Sequence, residues 1–406
     1  MKVQTANVVG GLLILLILTV YTWATWQFFT RPFPGGNDFL AHYTAWEAYL
    51  KHGLNPYSDA AALYTQRAIY GRAALPTEDQ NRLTYPFYSI LIHGPFVLID
   101  YPLARAMYMT LLQIAVLAGV VMSLRLVRWN LSMSMVALVS IWALLNYHQA
   151  RGVILGQFAI FGFFALAGTL LLLRQKREAA AGVLLVLATV KPPLVIFVVP
   201  FLLLWALARR RWQFVAGFLG TLVTLVVGST LVLPTWLGDM FYRVLHYPEY
   251  NVNQNPIFLL THEMIPALGT PVEITLSVIL IGGMLWAWWR VIWQEREQEF
   301  YWTLGVTLIV SNLVMPRVAT TNYTLMLIPT LWLFAALDRM SRWGRWVLFT
   351  LLAVSLIGLW WLHFVTVVGD GEHAMMYVPW PVALGVAWLG CRAWLIRDAE
   401  RTEVLP

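Results

Sequence analysis

Apolar runs of membrane-spanning length alternate with polar stretches along this chain, and the first junction between them organises the rest. An apolar run over 8–20 continues through Tyr21, Trp23, Trp26, Phe28 and Phe29. No small-residue cleavage pattern follows it, so it reads as an uncleaved first span rather than a signal peptide. The polar stretch beyond it opens on Asn37-Asp38-Phe39-Leu40-Ala41-His42-Tyr43 and closes on Gly53-Leu54-Asn55-Pro56-Tyr57. Between these ends Phe39, Tyr43, Trp46 and Leu50 recur at helical spacing, with Asp38, His42 and Tyr49 on the neighbouring face. Asn37 or Asp38 is placed to cap the helix, and Gly53 with Asn55-Pro56 to stop it. The pattern predicts a short amphipathic helix at a membrane surface with a carboxylate at its start. Taken alone, Asp38 is either that cap or a functional group.

Residues 58–72 carry a second helical pattern, and 76–82 a polar turn. The stretch from Thr84 to Pro95 is too short to span and contains Pro86 and Pro95, so it reads as an interfacial or re-entrant piece packed against protein. Its Tyr85-Pro86 equally marks a simple helix start. Further apolar runs follow at 103–124, 131–146, 153–173, 179–190, 192–208, 213–233, 272–292, 300–315, 323–337, 346–368 and 377–396. The expectation is an all-α polytopic membrane protein of about 12 transmembrane or re-entrant helices. The 179–190 and 192–208 pair is short enough to be either two spans or a re-entrant hairpin. The whole chain, 1–406, reads as a single integral membrane domain with long outer loops at 30–102 and 234–271.

Composition strengthens this reading. Of 406 residues 60% are hydrophobic and only 12% charged, more apolar surface than a soluble fold of this size can use. The net charge of +7 would suggest nucleic acid in a soluble chain. Here the basic residues gather in alternate loops, at Arg125, Arg128, Arg174, Lys176, Arg209, Arg210, Arg211, Arg290, Arg339 and Arg392 among others. That is a positive-inside signal, with both termini cytoplasmic, and it gives no support to a nucleic-acid partner. The single Cys391 excludes an intrachain disulfide.

Candidate chemistry then falls outside. All eight histidines, His42, His52, His93, His148, His246, His262, His363 and His373, sit in outer loops or at outer span ends on this topology. Lys191-Pro192-Pro193 interrupts an apolar run, and a lysine at membrane depth is a candidate partner for an anion. The alternative is a lysine snorkelling to the outer headgroups. Arg151 and Arg317 interrupt outer span ends and Arg243 lies in the second long loop, all against the positive-inside bias. No phosphate-cradling glycine loop, zinc-ligand spacing or nucleophile motif appears. His262-Glu263 begins like a zinc motif but lacks the second histidine, so no metal and no cofactor is expected. The halves show no repeat, which disfavours a secondary transporter.

The blocks, in order, resemble glycosyltransferase family 87. Asp38-Phe39 with Tyr43 and Gly53-Leu54-Asn55-Pro56-Tyr57 is similar to the family's first-loop signature, and Tyr85-Pro86 through Pro95 to its next block. Gly156-Gln157, then Ala181-Gly182, Lys191-Pro192 and Arg210-Arg211-Trp212, resembles its central block. Asn253-Gln254-Asn255 resembles an Asn-Gln-Ser element, with Asn255 in place of the serine. Met315-Pro316-Arg317 with Asn322-Tyr323 resembles a late proline block. The resemblance implies a GT-C type integral membrane enzyme that is inverting and uses a polyprenyl-phosphate sugar, commonly mannose, on the outer face. It implies an acidic base in the first outer loop, which is the position of Asp38. The expected partners are that lipid-linked donor, a glycolipid or glycan acceptor, and the bilayer itself.

Elementary chemistry agrees with this. Attack by a sugar hydroxyl needs a carboxylate within ~2.6–3.2 Å as general base. A departing lipid phosphate needs cations or oriented donors in a low-dielectric pocket. Lys191 and Arg317, then Arg243 and His262, are the candidates for the phosphate. His42, Tyr57, Gln157 and Gln254 are the candidates for further substrate contacts. A flippase or transporter, or an oligosaccharide polymerase or ligase, are the competing readings. The first would want ionisable groups at mid-membrane and the second a long late loop rich in Arg and His.

Overall fold

A helix rises about 1.5 Å per residue, so about 20 residues are needed to cross a hydrocarbon core. The computed structural model describes residues 2–247, 255–316, 318–368 and 372–402, with side chains from residue 9. Among these the chain is helical, with no strand. Six helices are long and apolar enough to cross a membrane: Val9–Thr30, Tyr101–Leu126, Trp212–Val232, Gly269–Ile292, Thr320–Met340 and Arg342–Thr366. Two bent pairs raise the number to as many as eight, Tyr147–Leu155 with Ala159–Arg174 (119°) and Ala374–Gly390 with Arg392–Arg401 (69°).

Four shorter apolar helices, Phe87–Leu98, Met133–Leu145, Glu178–Ala188 and Val198–Ala208, stand beside these six to eight among the described residues. Hydropathy marks apolar runs but does not mark where they break. The run expected over 153–173 turns sharply at Gly156-Gln157. The 179–208 region resolves into Glu178–Ala188, a four-residue turn Pro192–Val195 and Val198–Ala208, each shorter than a straight crossing needs. Met133–Leu145 is likewise only 13 residues long.

The chain forms two compact units. The first holds residues 1–114, 153–157 and 229–250. Its opening span shows its side chains outward, Leu12, Ile14, Leu16 and Ile17 each being about 60% exposed, as a lipid-facing helix would. The long-loop helices Asn37–His52 and Asp59–Tyr70 pack on each other, joined by Thr44 Oγ1 donating to Thr65 Oγ1 (3.1 Å) and Tyr64 OH donating to Glu47 (3.0 Å). Ser58 caps the second of them, accepting from Ala61 N. Phe87–Leu98 is a chain of short turns behind Pro86, which is its N-cap, so the helix-start reading of Tyr85-Pro86 is correct.

The second unit holds residues 115–152, 158–228 and 251–406. Its centre is the Phe300–Val314 helix, buried along almost its whole length. Buried hydroxyls there turn back on their own helix: Thr307 Oγ1 donates to Thr303 O (2.8 Å) and Ser311 Oγ to Thr307 O (2.6 Å). The Glu178–Ala188 and Trp212–Val232 helices meet backbone to backbone. A Cβ on Gly182 would lie 2.2 Å from Phe214 O, and one on Gly217 2.3 Å from Ala179 O. Small residues at such a crossing are how helices approach closely in lipid. The basic residues that signalled topology also form ion pairs within this unit. Arg209 meets Glu297 (2.9 Å), Arg211 meets Glu178 (3.4 Å), and Arg290, Arg296 and Arg392 converge on the buried Glu299.

Candidate active site

The first turn of the Asn37–His52 helix is built by glycine rather than by a side-chain cap. Gly36 is the N-cap residue in a left-handed conformation (φ 77°), with no side-chain capping bond. The expectation that Asn37 or Asp38 caps this helix is corrected: Asp38 sits inside its first turn, where a carboxylate gains from the helix dipole. Gly36 is required twice over, because a Cβ there would also lie 2.4 Å from Arg105 Nε.

Arg105 went unnoticed in the sequence, since its partners are backbone carbonyls far away in the chain. Buried beneath the turn, it donates to Phe33 O (2.6 Å) and Ile154 O (2.9 Å). The guanidinium thereby ties the segment entering Asp38 to the end of the helix that leads into Gly156. Gly156 is itself left-handed (φ 79°), and a Cβ on it would lie 2.4 Å from Phe39 Cβ. The first-loop and Gly-Gln blocks are thus one contact in space.

Phe39 fixes the other side of the turn. It is fully buried and stacks on Tyr108 (4.3 Å between centroids), with Phe96, Tyr101 and Tyr43 around it. Trp46 is buried with it, as the aromatic stripe predicts, but Leu50 is exposed. His42, Tyr43, Thr44, Ala45 and Trp46 are buried in succession, so protein covers more than one face of this helix. That differs from a helix resting on a membrane surface by one stripe. His42 stacks on His93 (4.6 Å) and meets Tyr85 edge-on (4.3 Å). Burial pushes the His93 imidazole down to about 4, so it is neutral. Its Nδ1–H donates to Ser89 O (3.2 Å), leaving Nε2 to accept from Tyr108 OH (3.2 Å).

The Gly53–Tyr57 segment is a fastened corner. Gly53 ends the helix in a left-handed conformation (φ 65°), as expected. Asn55 accepts from Tyr57 N (3.0 Å) and donates to Asp239 (2.8 Å). Tyr57 OH donates to Tyr85 O (2.8 Å), and Arg243 donates to Tyr57 O (2.7 Å) while pairing with Asp59 (3.0 Å). Asp38, His42, Tyr57, Gln157 and Arg243 all belong to the first unit.

Lys191 and His262 belong to the second unit. Lys191 precedes the Pro192–Val195 turn, and its Nζ donates to Asn322 Oδ1 (2.9 Å). Asn322, Ser311, Asn312 and Met315 line a small pocket together with Pro193 and Leu194. His262 lies in the wide helical turn Leu259–Met264, stacked on Phe258 (4.4 Å), with Nε2 3.2 Å from Thr270 Oγ1 and Nδ1 3.7 Å from Glu273. Gln254 and Arg317 lie outside the described residues.

Comparison with known proteins bears on this assembly of blocks. No curated protein and no solved structure matches the chain. The profile of Glycosyltransferase family 87 matches residues 83–316, more than half of the sequence. Tyr85-Pro86, Gly156-Gln157, Ala181-Gly182 and Lys191-Pro192 lie within that segment, while Asp38 and Gly53–Tyr57 precede it. On the extent of that match, the chain belongs to glycosyltransferase family 87.

Proposed function

We propose that this chain is an inverting, GT-C type hexosyltransferase. It moves a hexose, mannose in the first instance, from a polyprenyl-phosphate sugar to a glycolipid or glycan acceptor on the outer face of the cell membrane. Asp38 takes the proton of the acceptor hydroxyl as its oxygen attacks the anomeric carbon. The bond from that carbon to the phosphate oxygen breaks, polyprenyl phosphate leaves with the electron pair, and the configuration inverts. Lys191 and Arg317 meet the phosphate charge as it develops, with Arg243 and His262 as further donors. His42, Tyr57, Gln157 and Gln254 supply the remaining substrate contacts.

The observation that carries this reading is the locked first turn of the Asn37–His52 helix. Gly36 caps the helix, so Asp38 is not needed as a cap, and the Phe39–Gly156 contact fixes the backbone beside it. The direct test is transfer in proteoliposomes with a panel of donors. Polyprenyl-phosphate hexoses are expected to serve, and use of nucleotide sugars or polyprenyl-diphosphate sugars alone would overturn the proposal.

Topology can be tested separately in a Cys391→Ser background. Thr77→Cys in the first long loop is expected to label with an impermeant thiol reagent in intact cells, and Arg210→Cys is not. The reverse pattern would place the chemistry on the wrong face. For the phosphate contact, Lys191→Gln removes a charge-assisted bond of ~1.5–3 kcal/mol, about a 10- to 150-fold rise in apparent donor KM. Unchanged donor kinetics in a normally stable Lys191→Gln protein would remove the lysine from donor binding.

A further inference from the structure

A second charged cluster, in the second unit, has no part in the scheme above. Glu372 follows the Arg342–Thr366 helix, and its side chain is only 6% exposed. Its Oε1 accepts from Tyr147 OH (2.5 Å) and from Thr320 Oγ1 (2.5 Å), and lies 3.5 Å from Arg151. Arg151 donates to Tyr147 OH (3.0 Å), and His363 Nδ1 is 3.2 Å from the same hydroxyl. Because the phenolic proton goes to Glu372, His363 must donate from Nδ1, which leaves Nε2 as an acceptor in the neutral ring. Tyr147 packs edge-on against Trp360 (5.1 Å).

The cluster has unused capacity. Every contact to the carboxylate converges on Oε1, and Oε2 takes none among the described residues. Arg151 has five N–H donors and uses one of them in a hydrogen bond among those residues. The same turn of chain carries Asn146 Nδ2 and Gln149 Oε1, both buried without a hydrogen-bond partner among the described residues. Asn146 Nδ2 and Gln149 Oε1, buried and unfilled, cost ~1–3 kcal/mol each. A ligand bearing both donors and acceptors would fill them.

The charges select the class of ligand. Glu372 repels an anion and Arg151 repels a cation, whereas vicinal hydroxyls can donate to Oε2 and His363 Nε2 while accepting from Arg151. Trp360 adds an apolar ring beside the polar groups. We infer that Glu372, Arg151 and His363 form a carbohydrate-binding site that takes a neutral sugar residue of the acceptor. This rests on the glycosyl-transfer reading for its role but not for its chemistry. Thr320, Trp360, His363 and Glu372 all follow residue 316, where the family match ends, so the site is suited to an acceptor particular to this member.

Binding to the full-length protein in detergent tests this without catalysis. Methyl α-mannopyranoside and methyl α-glucopyranoside are the neutral probes, glucose 6-phosphate is the charged control, and thermal stabilisation is the readout. A neutral glycoside is expected to stabilise the wild type at millimolar concentrations, and Asp38→Asn equally. Glu372→Gln keeps an oxygen for Tyr147 and Thr320 and should fold, but its affinity should fall about tenfold or more. His363→Gln provides a second variant, with a fall in the same direction. Equal stabilisation of wild type and both variants, no stabilisation by either glycoside, or equal stabilisation by glucose 6-phosphate would each overturn the inference. A wild type that binds glycoside yet transfers from no polyprenyl-phosphate donor would overturn the function and leave this site standing.

Discussion

Asp38→Asn is expected to retain the wild-type fold while glycosyl transfer falls by about 10²–10⁴. The two effects separate because of where the residue sits. Had Asp38 been the N-cap, either residue would have served, since asparagine caps as well as aspartate. Gly36 is the cap instead, so no capping bond is lost, and the first-turn dipole interaction of the carboxylate is worth ~0.3–1 kcal/mol. The chemical loss is much larger, because an amide cannot take the acceptor proton. Purified Asp38→Asn with a normal thermal midpoint and near-normal turnover would remove Asp38 from the reaction. Donor affinity should be almost unchanged, since the phosphate contacts are assigned to other residues.

Gly156→Ala should be the most damaging conservative change in the first unit. The alanine would carry a left-handed backbone, at ~1–2 kcal/mol, and would force its Cβ toward Phe39 Cβ at 2.4 Å, at ~1–3 kcal/mol. Together these give a destabilisation of about 2–5 kcal/mol, with activity lost because Phe39 directly follows Asp38 in the first turn of the helix. Gly156→Asn separates the causes. Asparagine tolerates the left-handed region better than alanine but brings the same Cβ. Equal damage from both variants identifies the contact with Phe39 as the constraint, whereas clear relief with asparagine would show that backbone conformation dominates.

Much of the first unit was legible because its signals are local. Phe39, Tyr43 and Trp46 recur at helical spacing and are buried, and Gly53 stops the helix as its position suggested. The start was misread because the polar residues Asn37 and Asp38 are good caps in isolation, and nothing nearby in sequence announces Arg105 under Gly36. Its bonds to Phe33 and Ile154 span 72 and 49 residues. Glu372 was overlooked for the same reason, with Tyr147 225 residues away. The breaks within the apolar runs have a different origin. Hydropathy reports how apolar a run is, and helix length depends on where backbone geometry breaks it, as at Gly156 and at Pro192-Pro193.

The arginines that converge on Glu299 bear on how the protein is made. Arg290 and Arg296 leave the ribosome just before Glu299, but Arg392 follows it by 93 residues. Arg339 similarly waits 59 residues for Asp398. Synthesis runs from the N-terminus at about 5–20 residues per second, so these partners arrive several seconds late. During that interval Glu299 lacks one of its three arginine partners. The second unit therefore closes these ion pairs only after Arg392 and Asp398 have been made, well after the helices they lock together.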